Sequence, residues 1–352
     1  MQKIERHIIK STAEIKSAVE GLNLLSGDAM TLVVVDGENR PVGTITDGDI
    51  RRAILRGVDF SDKVDKVMNV KFRSVCRNKV DVGYIKEVRN QGIRLLPVVD
   101  EAGRLVEILD LKKVKSLLPI SALIMAGGKG ERLRPMTLTT PKPLLTIEGK
   151  AIIDYNIEAL ASVGVDNVVV STAYLAEQLD AHFAQPVAGI QVETIREEQP
   201  RGTIGALADA MPMLKNDTLL VMNSDLLTDI SLEEMYMHHQ LQGADITVAA
   251  IPYTVSVPYA ILSTEGSCIT SLEEKPTYSL YANGGIYMTK KEVAQMVPSD
   301  RRYDATDFIE EALTKGLKVV YFPINGTWID VGTPSDFRHA AEIMKYHGGK
   351  AK

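Results

Sequence analysis

The chain has 352 residues, 45% hydrophobic and 24% charged, with a formal net charge of −6. That is the make-up of ordinary globular domains, and the length suits two of them. An acidic chain without a basic block excludes non-specific nucleic-acid binding, which needs Lys and Arg to neutralise phosphates. The cations present must act locally, in a site. Cys76 and Cys268 lie far apart and suggest neither a disulfide framework nor a zinc cluster. The opening MQKIERHIIK carries no apolar leader core, and no run reaches membrane-spanning length. A cytoplasmic protein with no membrane partner is expected.

The first predicted elements form an internal repeat. LVVVDGENRPVGTITDGDI starts at Leu32, and LPVVDEAGRLVEILDLKKV starts 64 residues later at Leu96. Each copy has an apolar strand ending in Asp (Asp36, Asp100), a Gly-containing turn, a second apolar strand and a helix start. Helices are expected before each hairpin, over about 11–25 and 78–92, and again after it. The two halves should pack into one α+β module over 1–118. The string VGTITDGDIRRAI resembles cystathionine-β-synthase-type (CBS) repeats, modules that bind adenosyl or other nucleotides. The resemblance implies that Thr46 and Asp49 hold the phosphate and ribose of a nucleotide effector, with Arg51 and Arg52 nearby. The second copy has Asp110 and Lys113 at these offsets, so at most one competent site is expected. The alternative is a structural or dimerising module that binds nothing; CBS pairs associate face to face, which points to a homo-oligomer.

From Pro119 the pattern becomes alternating strands and helices. The apolar runs SALIMAG, VDNVVVSTA, TLLVMNSD and ADITVAAIPY are separated by helical patterns such as IIDYNIEALASVG and LEEMYMHHQLQG. This predicts a doubly wound, mostly parallel, Rossmann-like α/β domain over 119–352, with ligands at the carboxyl ends of its strands. His238 and His239 fall on a predicted helix and are read as surface residues. Residues 341–352 are read as a frayed tail.

The first run ends in LIMAGGKGERLRPMTLTTPKPLL. Gly127, Gly128 and Gly130 follow directly on a strand, where they allow positive φ and close approach to a ligand. Successive backbone N–H groups there can form an anion nest. Arg132 adds a planar fork for phosphate oxygens, and Lys142 returns a compact charge after the stiffening Pro135 and Pro141. The combination reads as a triphosphate cradle. It is not a Walker A loop, since no Gly-Lys-Ser/Thr follows, nor a dinucleotide fingerprint, since position 133 is Leu133.

MAGGKGERLRPMTLTTPKPLL resembles the signature of the sugar-1-phosphate nucleotidyltransferases, which make nucleotide sugars from an NTP and a sugar 1-phosphate. The resemblance runs over nearly all of 120–340. It implies nucleotide contacts from Ala126, Gly127, Gly128 and Gly130. In REEQPRGTIGAL it implies a base-recognition loop, with Gly202 under the base, Thr203 opening the next helix, and Glu198 or Gln199 reading the base edge. Arg201 stands where many relatives have Leu.

Asp225, ending the run LLVMNSD, suits a Mg²⁺ ligand at a strand's carboxyl end, and Asp330 in GTWIDVGTP is a second candidate. The resemblance pairs the two as metal ligands. It also implies that Glu274 in SLEEKPTY meets sugar hydroxyls, that Lys275 meets the sugar phosphate, and that Asn283 and Gly284 in YANGGIYM line the sugar pocket. Trp328 is read as a core-edge anchor.

The implied reaction is in-line attack of a sugar 1-phosphate oxygen on the α-phosphorus, with pyrophosphate leaving. The nucleophile is already an anion, so no general base is expected. The strings TPKPLL, MNSDLL, TVSVPYAIL and WIDVGTP look closest to the guanylyltransferase branch, which leans the expectation to GTP and to glycan precursor synthesis. Uridylyl transfer is the alternative. A catalytically dead nucleotide-sensing subunit is the rival from another class, and intact Arg132, Lys142, Asp225 and Asp330 speak against it.

Overall fold

The computed structural model describes residues 4–26 and 28–348. The chain divides into two compact units, one ending at Pro119 and including Ser162–Gly164, the other beginning at Ile120.

The first unit is built twice from the same plan. Its first half has β1 (Ile8–Lys10), α1 (Ile15–Leu24), β2 (Thr31–Val35), β3 (Pro41–Thr46) and α2 (Asp47–Ile54). The second has β4 (Val75–Cys76), α3 (Val82–Asn90), β5 (Leu95–Val99) and β6 (Leu105–Asp110). In each half the first strand pairs parallel to the second and the second antiparallel to the third. The repeat extends to the register: Leu32 faces Ile45 as Leu96 faces Leu109, and both hairpins are irregular at the same place, Val34/Val35 and Val98/Val99. Asp36 accepts the N–H groups of Glu38 and Arg40, and Asp100 accepts those of Ala102 and Arg104, so one side chain closes each turn.

Strand alternation divides the core. Leu32 and Val34 pack with Ile15, Ala18 and Ile50 of their own half, while Val33 and Val35 meet Leu95, Leu105 and Ile108 of the other. One expectation fails. No helix follows β6; Lys112 and Lys113 donate to Asp110 in a turn. Arg94 holds the Asp110 carboxylate, and Pro119 closes the segment before the next strand.

The second unit has β7 (Ile120–Met125), the short hairpin β8 (Thr146–Ile147) and β9 (Lys150–Ala151), α4 (Ile152–Ala161), β10 (Asn167–Thr172), α5 (Ala176–His182), β11 (Glu193–Arg196), α6 (Ala206–Ala210), β12 (Thr218–Asn223), β13 (Leu226–Thr228) and α7 (Leu232–Gln242). Then come β14 (Ile246–Ser256), β15 (Ile261–Glu265), β16 (Cys268–Glu273), β17 (Thr277–Lys290), α8 (Lys291–Ala294), α9 (Ala305–Thr314), β18 (Val319–Pro323), β19 (Trp328–Asp330) and α10 (Pro334–Gly348). The main sheet has the order β11-β10-β7-β12-β17-β14-β18. It is mixed and mostly parallel: β11, β10, β7 and β12 run together, as do β14 and β18, while β17 runs against both its neighbours. β7, β10 and β12 are buried almost throughout, which is why they read as unbroken apolar runs.

Two expectations are corrected. His239 is not a surface residue: it is buried under α7, and its Nδ1 lies 2.8 Å from the Thr247 hydroxyl of β14. The His238 ring rests against Phe322. Residues 341–348 are not frayed but continue α10, where Ala341, Ile343 and Met344 pack on a core cluster; 349–352 lie outside the described residues. Among the described residues no helix is long and apolar enough to cross a membrane.

Burial holds the pKa of His239 down to about 4 from the ordinary 6.5. The unfolded chain therefore binds a proton that the folded chain refuses between these values. Stability is expected to be full above about pH 6.5 and to fall as pH drops towards 4. His239→Gln should flatten that limb in denaturant titrations; an unchanged pH profile in the variant would refute the assignment.

Candidate active site

The centre of the site is made by two short strands. β12 ends at the middle of the sheet, the Ser224 N–H donates to the Met125 carbonyl at 3.1 Å, and the Asn156 amide donates to the Ser224 carbonyl at 3.3 Å. Asp225 follows, and β13 then pairs antiparallel with β19, placing Leu226 opposite Asp330. The Val331 N–H donates to the Asp225 carbonyl at 3.1 Å. The two aspartates, distant in sequence, become neighbours. Alternation along β19 sends Ile329 into a small core with Leu133, Leu227 and Val331, leaving Trp328 and Asp330 on the other face.

Lys142 enters between the carboxylates. Its ammonium hydrogen-bonds Asp225 Oδ2 and stands 3.6 Å from Asp330 Oδ1. The lysine is only 12% exposed. Even so, Oδ1 of Asp225 and Oδ1 of Asp330 are buried without a hydrogen-bond partner. The Asp330 carboxyl is pushed above the usual carboxylate range, chiefly by burial and then by the charge of Asp225; Lys142 and Arg132 oppose this. Buried orphan oxygens are costly. Two facing carboxylates with unfilled lone pairs fit a hard dication that completes its shell with phosphate oxygens and water. Among the described residues no cluster of three or more metal-ligating side chains competes with this pair.

A cavity of about 1080 Å³ opens beside this centre, lined by Ala126, Gly127, Gly128, Gly130, Arg132, Lys142, Glu198, Gln199, Gly202, Thr203 and Asp225. Three glycines of the loop serve three ends. A Cβ on Gly127 would fall 2.6 Å from Glu197 Oε1, one on Gly128 would meet nothing within 4 Å, and Gly130 has φ +60° with Thr137 and Lys142 close by. The loop's carbonyl at Gly130 accepts the Thr137 hydroxyl at 2.8 Å. Arg132 is exposed and its guanidinium lies 3.0 Å from the point where a Gly332 Cβ would sit. It forms no ion pair with any described residue, so its fork is available to an anion.

The base-side loop differs from expectation. Glu197, not singled out by the sequence, is the half-buried acid: it lies beside Gly127, accepts the Arg201 N–H at 3.2 Å, and its carboxyl is pushed up by partial burial. Glu198 and Gln199 line the same cavity. Thr203 does not open a helix; α6 starts at Ala206. Its hydroxyl instead accepts the Ala305 N–H at 2.8 Å and its N–H donates to Asp304 at 2.8 Å, tying the loop to the start of α9. Gly202 has φ +85°, and a Cβ there would strike Tyr303 and Asp304. Arg201 is a brace, with its guanidinium on Asp209 at 3.0 Å and on the Ser299 carbonyl.

The sugar-side residues separate into two groups. Asn283 and Gly284 lie on β17 next to the end of β12, and Asn283 Oδ1 accepts the Gly285 N–H at 3.0 Å. Trp328 is more than a core anchor: its indole N–H donates to the Gly284 carbonyl at 2.9 Å, linking β19 to this strand. Glu274 and Lys275, however, are exposed and do not line the cavity. In the first unit, Thr46 and Asp49 bind each other in a capping box that starts α2: the Thr46 N–H and hydroxyl donate to Asp49 Oδ2 at 2.8 and 2.6 Å, and Arg52 pairs with Asp49. The corresponding Asp110 is taken up by Arg94 at 3.1 Å.

Residues 121–346 match the nucleotidyl transferase family. The chain belongs to that family. Its members generally work with a divalent metal, in keeping with the aspartate pair. Residues 16–56, the first half of the repeat, match the CBS domain. The mannose-1-phosphate guanylyltransferase of Mycobacterium tuberculosis is 30% identical over 64% of this chain and 65% of its own length. The D-glycero-alpha-D-manno-heptose 1-phosphate guanylyltransferase of Aneurinibacillus thermoaerophilus is 29% identical over 65% of this chain and its whole length. Thus the match spans a little under two thirds of the mycobacterial relative and all of the other. The crystal structure of HddC from Yersinia pseudotuberculosis aligns with a TM-score of 0.50 and 25% identity, covering 64% of this chain and 100% of that one. The transferase fold thus coincides with the second unit, and the Asp225–Lys142–Asp330 centre lies at its heart.

Since Asp330 is ionised against burial and against Asp225, Asp330→Asn is expected to raise the melting temperature of metal-free protein at neutral pH while lowering turnover. The gain should vanish below about pH 3.8, the ordinary aspartate value, where Asp330 is protonated in the folded and the unfolded chain alike. A melting temperature lowered at neutral pH would contradict the electrostatic account.

Proposed function

We propose that the chain transfers a nucleotidyl group from an NTP to a sugar 1-phosphate, releasing pyrophosphate, for glycan precursor synthesis. The observation that carries this reading is the half-buried pair Asp225 and Asp330 around Lys142, each with one buried oxygen lacking a partner, beside a glycine loop with a free Arg132. A divalent metal on that pair, Mg²⁺ in our reading, would supply charge neutralisation at the phosphates. The chain's own residues do the rest. Backbone N–H groups of 126–130 receive the triphosphate, Arg132 holds its outer phosphates and the developing pyrophosphate, and Lys142 faces the α-phosphate. Asn283 and Gly284 orient the sugar. The attacking phosphate oxygen is already anionic, so positioning and electrostatics suffice.

GTP is the favoured donor. Glu197 places a carboxylate between the glycine loop and the base loop. A carboxylate there accepts the ring N–H and exocyclic amino group that guanine offers side by side. Uracil offers one N–H flanked by carbonyl oxygens, which a carboxylate repels. Uridylyl transfer remains the alternative that a donor panel would reveal. The first unit is read as a nucleotide-responsive module only if Asp49 leaves its capping box.

Asp225→Asn and Arg132→Ala are each expected to cut turnover by orders of magnitude with the fold intact by circular dichroism. Near-wild-type pyrophosphate release from either folded variant would sink the assignment. Glu197→Gln should lower kcat/KM for GTP by roughly ten- to a hundredfold, the scale of a lost charged hydrogen bond of about 1.5–3 kcal/mol. UTP should be little affected; an unchanged GTP-to-UTP ratio would remove Glu197 from base selection.

A further inference from the structure

From Gly127 to Lys142 the chain forms only single helical turns, at Glu131–Leu133, Met136–Leu138 and Lys142–Leu144. A segment without longer regular structure keeps its shape through contacts to other parts of the fold. Here the shape matters, because the backbone of 126–130 and Arg132 have phosphates to receive. The middle of the segment is anchored. Leu133, beside Arg132, is fully buried in the small core with Ile329 and Val331. The Gly130 carbonyl accepts the Leu133 N–H at 3.0 Å and the Thr137 hydroxyl at 2.8 Å. Thr137 is thereby folded back against Gly130, where it is 1% exposed.

What fixes Thr137 comes from elsewhere in the sheet. Tyr174 stands in the turn between β10 and α5, half-buried, and lines the cavity. Its hydroxyl donates to the Thr137 carbonyl at 2.9 Å and lies 3.3 Å from that of Leu138. Its own N–H reaches the Gly127 carbonyl at 3.5 Å. Gln178 of α5 adds an amide N–H to the Thr139 carbonyl at 2.8 Å. Tyr174 therefore touches both the first glycine of the loop and the place where the chain turns back. The bonds close a circuit from Gly127 through Tyr174 and Thr137 to Gly130. The turn that presents Tyr174 is an unfavourable one: Leu175 has φ +51°, a left-handed conformation that bulky residues rarely adopt. Glu197 and Asn283, assigned above to base and sugar, bond outside the circuit, to Arg201 and Gly285. We propose that Tyr174 is a positioning residue for the triphosphate. Its hydroxyl fixes the return of the loop and so sets the 126–130 backbone and Arg132 for the outer phosphates, with no part in holding base or sugar. This rests on the transferase reading above.

Tyr174→Phe removes the hydroxyl and keeps the ring. Calorimetric titration of the full chain with GTP and with GMP, Mg²⁺ present and no sugar 1-phosphate added, reads binding without turnover. UTP and UMP take their place if the donor panel selects uridine. GTP is expected to bind roughly three- to tenfold more weakly, the scale of one neutral hydrogen bond, with GMP unchanged. In the pyrophosphate-release assay kcat/KM for GTP should fall about ten- to a hundredfold, since small displacements are amplified in the transition state. KM for the sugar 1-phosphate should move by less than about twofold. Thr137→Val cuts the next bond of the circuit and should give the same split between GTP and GMP. The double variant should be no worse than the worse single one, as for groups that act in one network. Unchanged GTP binding in Tyr174→Phe would overturn the proposal. So would an equal weakening of GTP and GMP, which is what a purely structural loss gives, and so would full additivity of the two substitutions. A wild-type chain that binds GTP no more tightly than GMP, and releases no pyrophosphate from any NTP and sugar 1-phosphate, would defeat the transferase reading instead.

Discussion

The pairing of β13 with β19 is the constraint on which the second unit's chemistry depends. It sets two carboxylates side by side in a partly buried place, an arrangement that is unfavourable by itself, since each charge is desolvated and each repels the other. Lys142 offsets part of the cost but leaves one oxygen of each carboxylate without a partner. A fold keeps such a conflict where a cation and phosphates resolve it. The small core of Leu133, Leu145, Ile147, Ile152, Leu227, Ile329 and Val331 holds the strands together.

Around that centre the other parts are held by one another. Gly127 has no side chain because Glu197 occupies the space, and Gly202 has none because Tyr303 and Asp304 do. Thr203 bonds to the start of α9, and Trp328 bonds across to Gly284. Each contact ties one segment around the centre to another that is distant in sequence. Displacing one of them would move its partner as well, which matters in a site proposed to work by positioning.

The first unit presents a different physical situation. Its repeat is symmetrical in register and in turn chemistry, but the polar ends of its two hairpins are not equivalent, since only the first starts a helix. Thr46 and Asp49 satisfy each other, while Asp110 is neutralised by Arg94. The strand faces between the halves are apolar and shared, so the unit is held by packing and needs no bound ligand to close its core.

Much of this was legible in the sequence alone. The period of the apolar residues announced the repeated hairpins and the buried parallel strands, because alternation and unbroken runs follow directly from which faces meet water. The glycine loop, Arg132, Lys142, Asp225 and Asp330 were legible as residue types suited to phosphate and metal. Local chemistry does not say what lies opposite. Only the tertiary structure decided that Asp225 and Asp330 face each other across β13 and β19, and that Glu197, one residue from the acid the sequence favoured, is the less exposed of the two. Thr203 serves α9 instead of its own helix, and His239 is enclosed by Thr247, because partners from distant segments fill those places.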